Sequence, residues 1–184
     1  MLPLPLYFHN DQPDARSFLE TTNTNYETTY NDYVQRREEY LNAVLAPEKS
    51  AVSEFFDQDI KKGYSTFLEF CNGVVGHLEQ GKNVSLTLRG FTSPRAQSGY
   101  NLALGKRRTA SIVNFFRNYQ RGVFVQYLNR GQLEIKEISF GETKASSSVS
   151  DLLQDRRNSI YVPAAARERK VAVSYTHLTL PTKA

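Results

Sequence analysis

The sequence predicts an α+β fold, with helices packed on one face of a small mixed sheet. Three observations predict it. Val84-Ser-Leu-Thr-Leu-Arg-Gly90 and Leu133-Glu-Ile-Lys-Glu-Ile-Ser-Phe140 alternate apolar and polar residues, the period of a half-buried strand. The stretches before and between them space their apolar residues by three and four, the period of an amphipathic helix. The resulting order of strand, helices, strand, helix, strand, strand sets helices against a sheet.

Leu4 to Phe8 reads as a short first strand, with the neighbouring prolines marking an edge or a strand start. Asn10-Asp-Gln-Pro-Asp14 is turn chemistry. From about Phe18 to Val44 the pattern is helical, and Tyr26, Tyr30, Tyr33 and Tyr40 fall on one face. The simplest use of that stripe is packing against the next helix; docking a neighbouring domain or protein is the alternative. Pro47 ends the helix. A second helical segment runs from about Ser50 to Leu78, with Gly63 as a kink or break and Gly81 as its stop. After the strand at 84–90, the loop Phe91 to Gly99 leads into a helix from Tyr100 to Tyr119. Leu104, Ile112, Val113, Phe115 and Phe116 face inward there, and Lys106, Arg107 and Arg117 face out. Gly141 to Asp155 is a Ser-rich loop with room for a helical turn, and Arg169 to Val173 is a last strand.

The C-terminal stretch is set apart. Val173-Ser-Tyr-Thr-His-Leu-Thr-Leu-Pro-Thr resembles the conceptual translation of a sequencing adapter. Residues 174–184 are therefore taken as an artefactual tail and 1–173 as a single domain. Met1 to Phe8 lacks the basic start and unbroken apolar run of a signal peptide, so the chain reads either as a soluble cytoplasmic protein or as a fragment of a longer exported one.

Composition narrows the chemistry. The 184 residues carry 23 Lys+Arg against 19 Asp+Glu, and the net charge of +4 is unevenly placed. Residues 80–133 hold nine bases and no acid, which points to an anionic partner or to an acidic surface in the same molecule. The lone Cys71 excludes an intramolecular disulfide and a cysteine-rich zinc site. No apolar run approaches the ~18 residues of a transmembrane segment. His9 and His77 have no triad partners in the sequence, and no phosphate-binding or dinucleotide motif is present. No catalytic residue, cofactor or metal site is read.

The informative segment is 89–109, Arg-Gly-Phe-Thr-Ser-Pro-Arg-Ala-Gln-Ser-Gly-Tyr-Asn-Leu-Ala-Leu-Gly-Lys-Arg-Arg-Thr. A strand passes through a polar loop into a helix bearing three consecutive cations. The simpler reading is a solvated basic helix face; the functional one is a carboxylate or phosphate site. The segment resembles the core motif of OmpA-like peptidoglycan-binding domains, G-x-T-D-x-x-G-x-x-x-Y-N-x-x-L-S-x-x-R-A. Gly90, Thr92, Tyr100, Asn101, Leu104 and Arg108 fall on pattern positions without a gap. Leu6-Tyr-Phe-His-Asn-Asp11, Ile138-Ser-Phe-Gly-Glu142 and Ala166-Arg-Glu-Arg-Lys-Val-Ala-Val173 resemble the family's opening strand, third strand and terminal strand. The pattern is also similar to C-terminal OmpA-like domains of multidomain envelope proteins in Bacteroidota. The resemblance covers about 1–14 and 60–173, leaving 15–59 as a helical insertion after the first strand.

The resemblance implies the family's β/α/β/α/β-β sandwich and a non-catalytic module that anchors an outer-membrane or periplasmic protein to peptidoglycan. In the family an aspartate and an arginine grip the zwitterionic head of the stem-peptide diaminopimelate. Arg108 matches the arginine, and Ser93 stands at the aspartate position. The expected ligand-binding residues are Arg108 as a carboxylate clamp, Ser93 and Thr92 as loop donors, and Asn101 to position the loop. Other envelope proteins are possible partners through the insertion. The rival readings are an OmpA-like fold that has lost its ligand and serves as an interaction or structural domain, and nucleic-acid binding through the basic third. The second is not expected, because the phenylalanines there sit at core spacing.

Overall fold

Four strands form one sheet in the order β1-β4-β2-β3. They are β1 (Leu4–Tyr7), β2 (Asn83–Phe91), β3 (Leu133–Gly141) and β4 (Lys170–Leu178). The computed structural model describes residues 3–94, 96–146 and 149–178. β4 runs antiparallel to both β1 and β2, whereas β2 and β3 are parallel. A parallel pair needs a long crossover, and α5 (Ser98–Asn118) supplies most of it. The fold is α+β with a mixed sheet, as the alternating runs predict.

Alternation decides which face the helices cover. Val84, Leu86 and Leu88 of β2 lie on one face with Leu6, Val171 and Val173, and all are buried. Phe67, Cys71 and Leu78 of α4 (Lys62–Glu79) and Ile112, Phe115 and Phe116 of α5 close over them. Burial pushes the Cys71 thiol well above its ordinary range, which leaves it a core residue. The opposite face carries Thr87, Arg89 and Phe91, all half-buried.

The helical stretch between β1 and β2 differs from the expectation in its breaks. Helix α1 (Tyr26–Gln35) starts at Tyr26 and not near Phe18, because the Asn25 side chain accepts from the Glu27 amide at 2.8 Å and caps it there. Phe18, expected inside a helix, is 78 % exposed and lies outside any helix. Helix α2 (Arg37–Ala43) follows, and α3 (Lys49–Glu54) joins α4 through a π turn at Phe55–Lys61. The irregularity therefore falls before Gly63, which lies within α4. Gly81 does stop α4, in a left-handed conformation at φ +77°.

The tyrosine stripe is a core element. Tyr33 and Tyr40 join Tyr7, Val52, Phe55, Phe56, Ile60, Ile160 and Tyr161 in a second cluster. Tyr26 enters the main core, and Tyr30 stacks on Tyr64 at 3.9 Å between ring centres. The buried rings are thus spent inside the molecule.

β4 also departs from the sequence reading. It continues past Val173, and Ser174 to Leu178 pair with Thr87 to Asn83. The strand reaches Leu178, because Ser-Tyr-Thr continues the alternation with Tyr175 on the core face. Residues 179–184 of the expected tail lie outside the described residues.

Candidate functional site

Lys106, Arg107 and Arg108 follow one another on α5. Successive helical residues are turned by about 100°, so three in a row cannot all face solvent on a helix that lies against a sheet. Lys106 faces out and pairs with Glu20 at 2.8 Å. Arg107, expected to face out, is fully buried, and so is Arg108.

Both guanidinium groups are wrapped by the segment from His9 to Leu19. Arg107 donates from Nε to the Pro13 carbonyl at 3.2 Å and from Nη1 to the Leu19 carbonyl at 2.7 Å. Arg108 donates from Nε to the Gln12 carbonyl at 3.0 Å, from Nη1 to Phe91 at 2.8 Å and from Nη2 to His9 at 3.5 Å. Asp11, Asp14 and Arg16 take left-handed conformations, at φ 57°, 56° and 63°, which coil the strap tightly enough for these carbonyls to converge. The cationic donors make such bonds stronger than neutral ones. Burial, and next the charge of Arg169, pushes Arg108 down to about 9, so it stays cationic at neutral pH.

Between the strap, the β2–α5 loop and α5 lies a pocket of about 170 Å³, bordered by Asp11, Ser93, Tyr100, Asn101, Arg108 and Leu153. Three of the four expected site residues, Ser93, Asn101 and Arg108, meet here. Thr92 does not border the pocket. Its amide donates to the Gly141 carbonyl at 2.9 Å, and its buried Oγ1 has no partner. Asn101 donates from Nδ2 to the Ala96 carbonyl at 2.8 Å and braces the loop against the helix. Arg108 forms the floor, with three of its five N–H groups committed to main-chain oxygens. The open bidentate grip expected of it is therefore already engaged.

The sequence reading missed Asp11. The Asp11 carboxylate accepts from the Tyr100 hydroxyl and, at 3.0 Å, from the Arg16 amide. Tyr100 in turn lies 3.5 Å from Arg107 Nη2. Burial and the Asp11 bond raise the Tyr100 hydroxyl above its ordinary range, so it remains a donor. Asp11 reads as turn chemistry in isolation; its place at the end of the opening-strand motif was the signal that ties it to the site. Leu153, in a polar Ser-rich stretch, carried no such signal.

His9 lies behind the pocket, with Nδ1 2.9 Å from the Tyr40 hydroxyl. Burial holds it down to about 3, and the charges of Arg169, Arg36 and Arg108 add to the effect, so it is neutral at physiological pH. Among the described residues, no three His, Cys, Asp or Glu side chains are grouped to hold a metal ion. Among the described residues, no helix is long and apolar enough to cross a membrane.

Comparison with protein-family models and with curated proteins gives no match to this chain.

Proposed function

We propose that the chain is a non-catalytic, OmpA-like peptidoglycan-binding module, which takes a stem-peptide carboxylate at the pocket over Arg108 and tethers an outer-membrane or periplasmic protein to the cell wall. The observation that carries this reading is the convergence of Ser93, Asn101 and Arg108 on one pocket, since the three come together in the motif only by resemblance. Ser93 and Arg108 border that pocket as a hydroxyl and a buried cation, residue types that attract a carboxylate. A fixed cation in a site shielded from water acts more strongly than one at an open surface.

Cosedimentation with purified peptidoglycan tests the reading. The chain is expected in the pellet, and a Ser93→Tyr variant, which fills the pocket, in the supernatant. A folded wild-type chain that stays wholly in the supernatant overturns the proposal.

A second reading is favoured by one observation. The Arg108 guanidinium is sealed beneath main-chain carbonyls, and Leu153, which borders the same pocket, is 61 % exposed. A fold that has kept the arginine as a structural pin and binds another envelope protein fits that geometry. Peptidoglycan-free association of the chain with such a protein, unaffected by Ser93→Tyr, is its expected sign.

A further inference from the structure

We infer that the cleft where the C-terminal end of α5 meets α4 and the start of α1 is a binding site for a neutral saccharide ring. It is separate from the pocket over Arg108. Arg108 and Asn118 mark the two sites on α5, and at a rise of 1.5 Å per residue they stand roughly 15 Å apart along the helix.

The cleft has a volume of about 290 Å³. Tyr64, Phe115 and Tyr119 give it an aromatic wall. Its polar rim is three amide side chains, Asn25, Asn118 and Gln120, with the Glu27 carboxylate beside them. Each rim amide keeps an unused group. Asn25 caps α1 through Oδ1 and leaves Nδ2. Asn118 donates from Nδ2 to the Asn114 carbonyl at 2.9 Å and leaves Oδ1. Gln120 donates from Nε2 to Asn72 Oδ1 at 3.0 Å and leaves Oε1. The Tyr119 hydroxyl donates to the same Asn72 oxygen at 2.8 Å, so Asn72 fastens both residues.

The rim also carries backbone strain. Gln120 and Arg121 take left-handed conformations, at φ 44° and 61°, ahead of Gly122 at 85°. Residues with a Cβ rarely adopt that conformation, and here two do so in succession. Strain of this kind gathers at functional positions, where the surroundings hold it in place. The turn brings the Gln120 amide back against Asn72 and onto the rim.

The lining selects the ligand class. A pyranose ring has an apolar C–H face and a rim of hydroxyls that each donate and accept. The face suits an aromatic wall, and the hydroxyls suit a rim offering one amide donor and two amide acceptors. Such a pairing of an apolar wall with a few placed polar groups is the usual make-up of a small-molecule site. No Lys or Arg borders the cleft, so an anion finds no counter-charge there and meets Glu27 as repulsion.

The full chain is titrated with chitotriose, with cellotriose and with sodium phosphate, and its nitrogen-15 amide spectrum is followed. The backbone amides of Tyr119 and Gln120 and the side-chain amides of Asn118 and Gln120 are expected to shift with at least one sugar and not with phosphate. That measurement needs no variant to fold. Gln120→Gly relieves the left-handed strain, because glycine adopts it freely, and removes the rim amide. It is expected to hold or raise Tm while weakening sugar binding about fivefold, the range for one hydrogen bond. A turn that serves only the fold would change Tm and leave the affinity as it was.

No shift with either sugar, or equal shifts with phosphate, overturns the inference, and so does unweakened sugar binding by Gln120→Gly. None of these results bears on the pocket over Arg108, because the probes carry no stem peptide.

Discussion

Arg108 Nη1 donates to the Phe91 carbonyl at 2.8 Å, joining the middle of α5 to the last residue of β2. The arginine that resemblance marks as a ligand clamp is thus also a fastening between helix, strand and strap. Arg108→Ala leaves the carbonyls of His9, Gln12 and Phe91 without their donor. We expect it to lower unfolding stability by about 3 kcal/mol or more, measured by urea denaturation. Arg108→Lys keeps the charge without the planar fork and is expected to fall between. A loss of wall binding in Arg108→Ala speaks to the site only if the variant is folded.

Tyr100 links Asp11 to Arg107 through one hydroxyl. Tyr100→Phe keeps the ring, which meets Phe18 edge-on, and removes the link. The expected cost is about 1 kcal/mol, read as a small drop in Tm with an unchanged circular dichroism spectrum.

Gly90 and Gly105 bring β2 and α5 into close approach. A Cβ on Gly90 would stand 2.5 Å from the Gly105 carbonyl oxygen, a backbone atom that cannot turn away. A Cβ on Gly105 would meet the Ser139 hydroxyl, which can rotate at the loss of its 2.9 Å bond to the Leu102 carbonyl. Gly90→Ala is expected to cost about 3 kcal/mol and Gly105→Ala about 1 kcal/mol, within the range for overpacking. Adding Ser139→Ala should recover most of the second loss and none of the first, by chemical denaturation.

His9 couples stability to acidity. Its folded value near 3 lies below the ordinary value of 6.5, so the unfolded chain takes up the proton first. Its contribution is therefore flat above about pH 6.5 and turns unfavourable as pH falls from there toward 3. The slope approaches 1.4 kcal/mol per pH unit for one proton. His9→Gln should flatten that limb of a stability profile measured between pH 7 and pH 4, with carboxylate titration common to both proteins.

The strands and α5 were legible because each repeats one period over many residues: Val84, Leu86 and Leu88 declare their face without reference to anything else. The early helices were less so. Asn25 ends the non-helical segment with a single side-chain bond, and a residue-by-residue period carries on through such a cap. The site was half legible. Ser93, Asn101 and Arg108 lie within sixteen residues on one motif. Asp11 reaches them only because the strap folds back across about ninety residues of sequence, and the two buried arginines have main-chain oxygens as acceptors, which no side-chain pattern announces.

β4 lies between β1 and β2, so the first strand has no neighbour until the last one is in place. During synthesis, β2, α5 and β3 emerge together as a strand–helix–strand unit and have the means to assemble at once. β1, made earlier, waits for a strand made some 160 residues later. Such long-range closure is slow relative to local contacts. Until it happens, Leu6, Phe8 and their apolar partners stay open to other chains, so the yield of folded protein depends on what shields that edge while the chain is being completed.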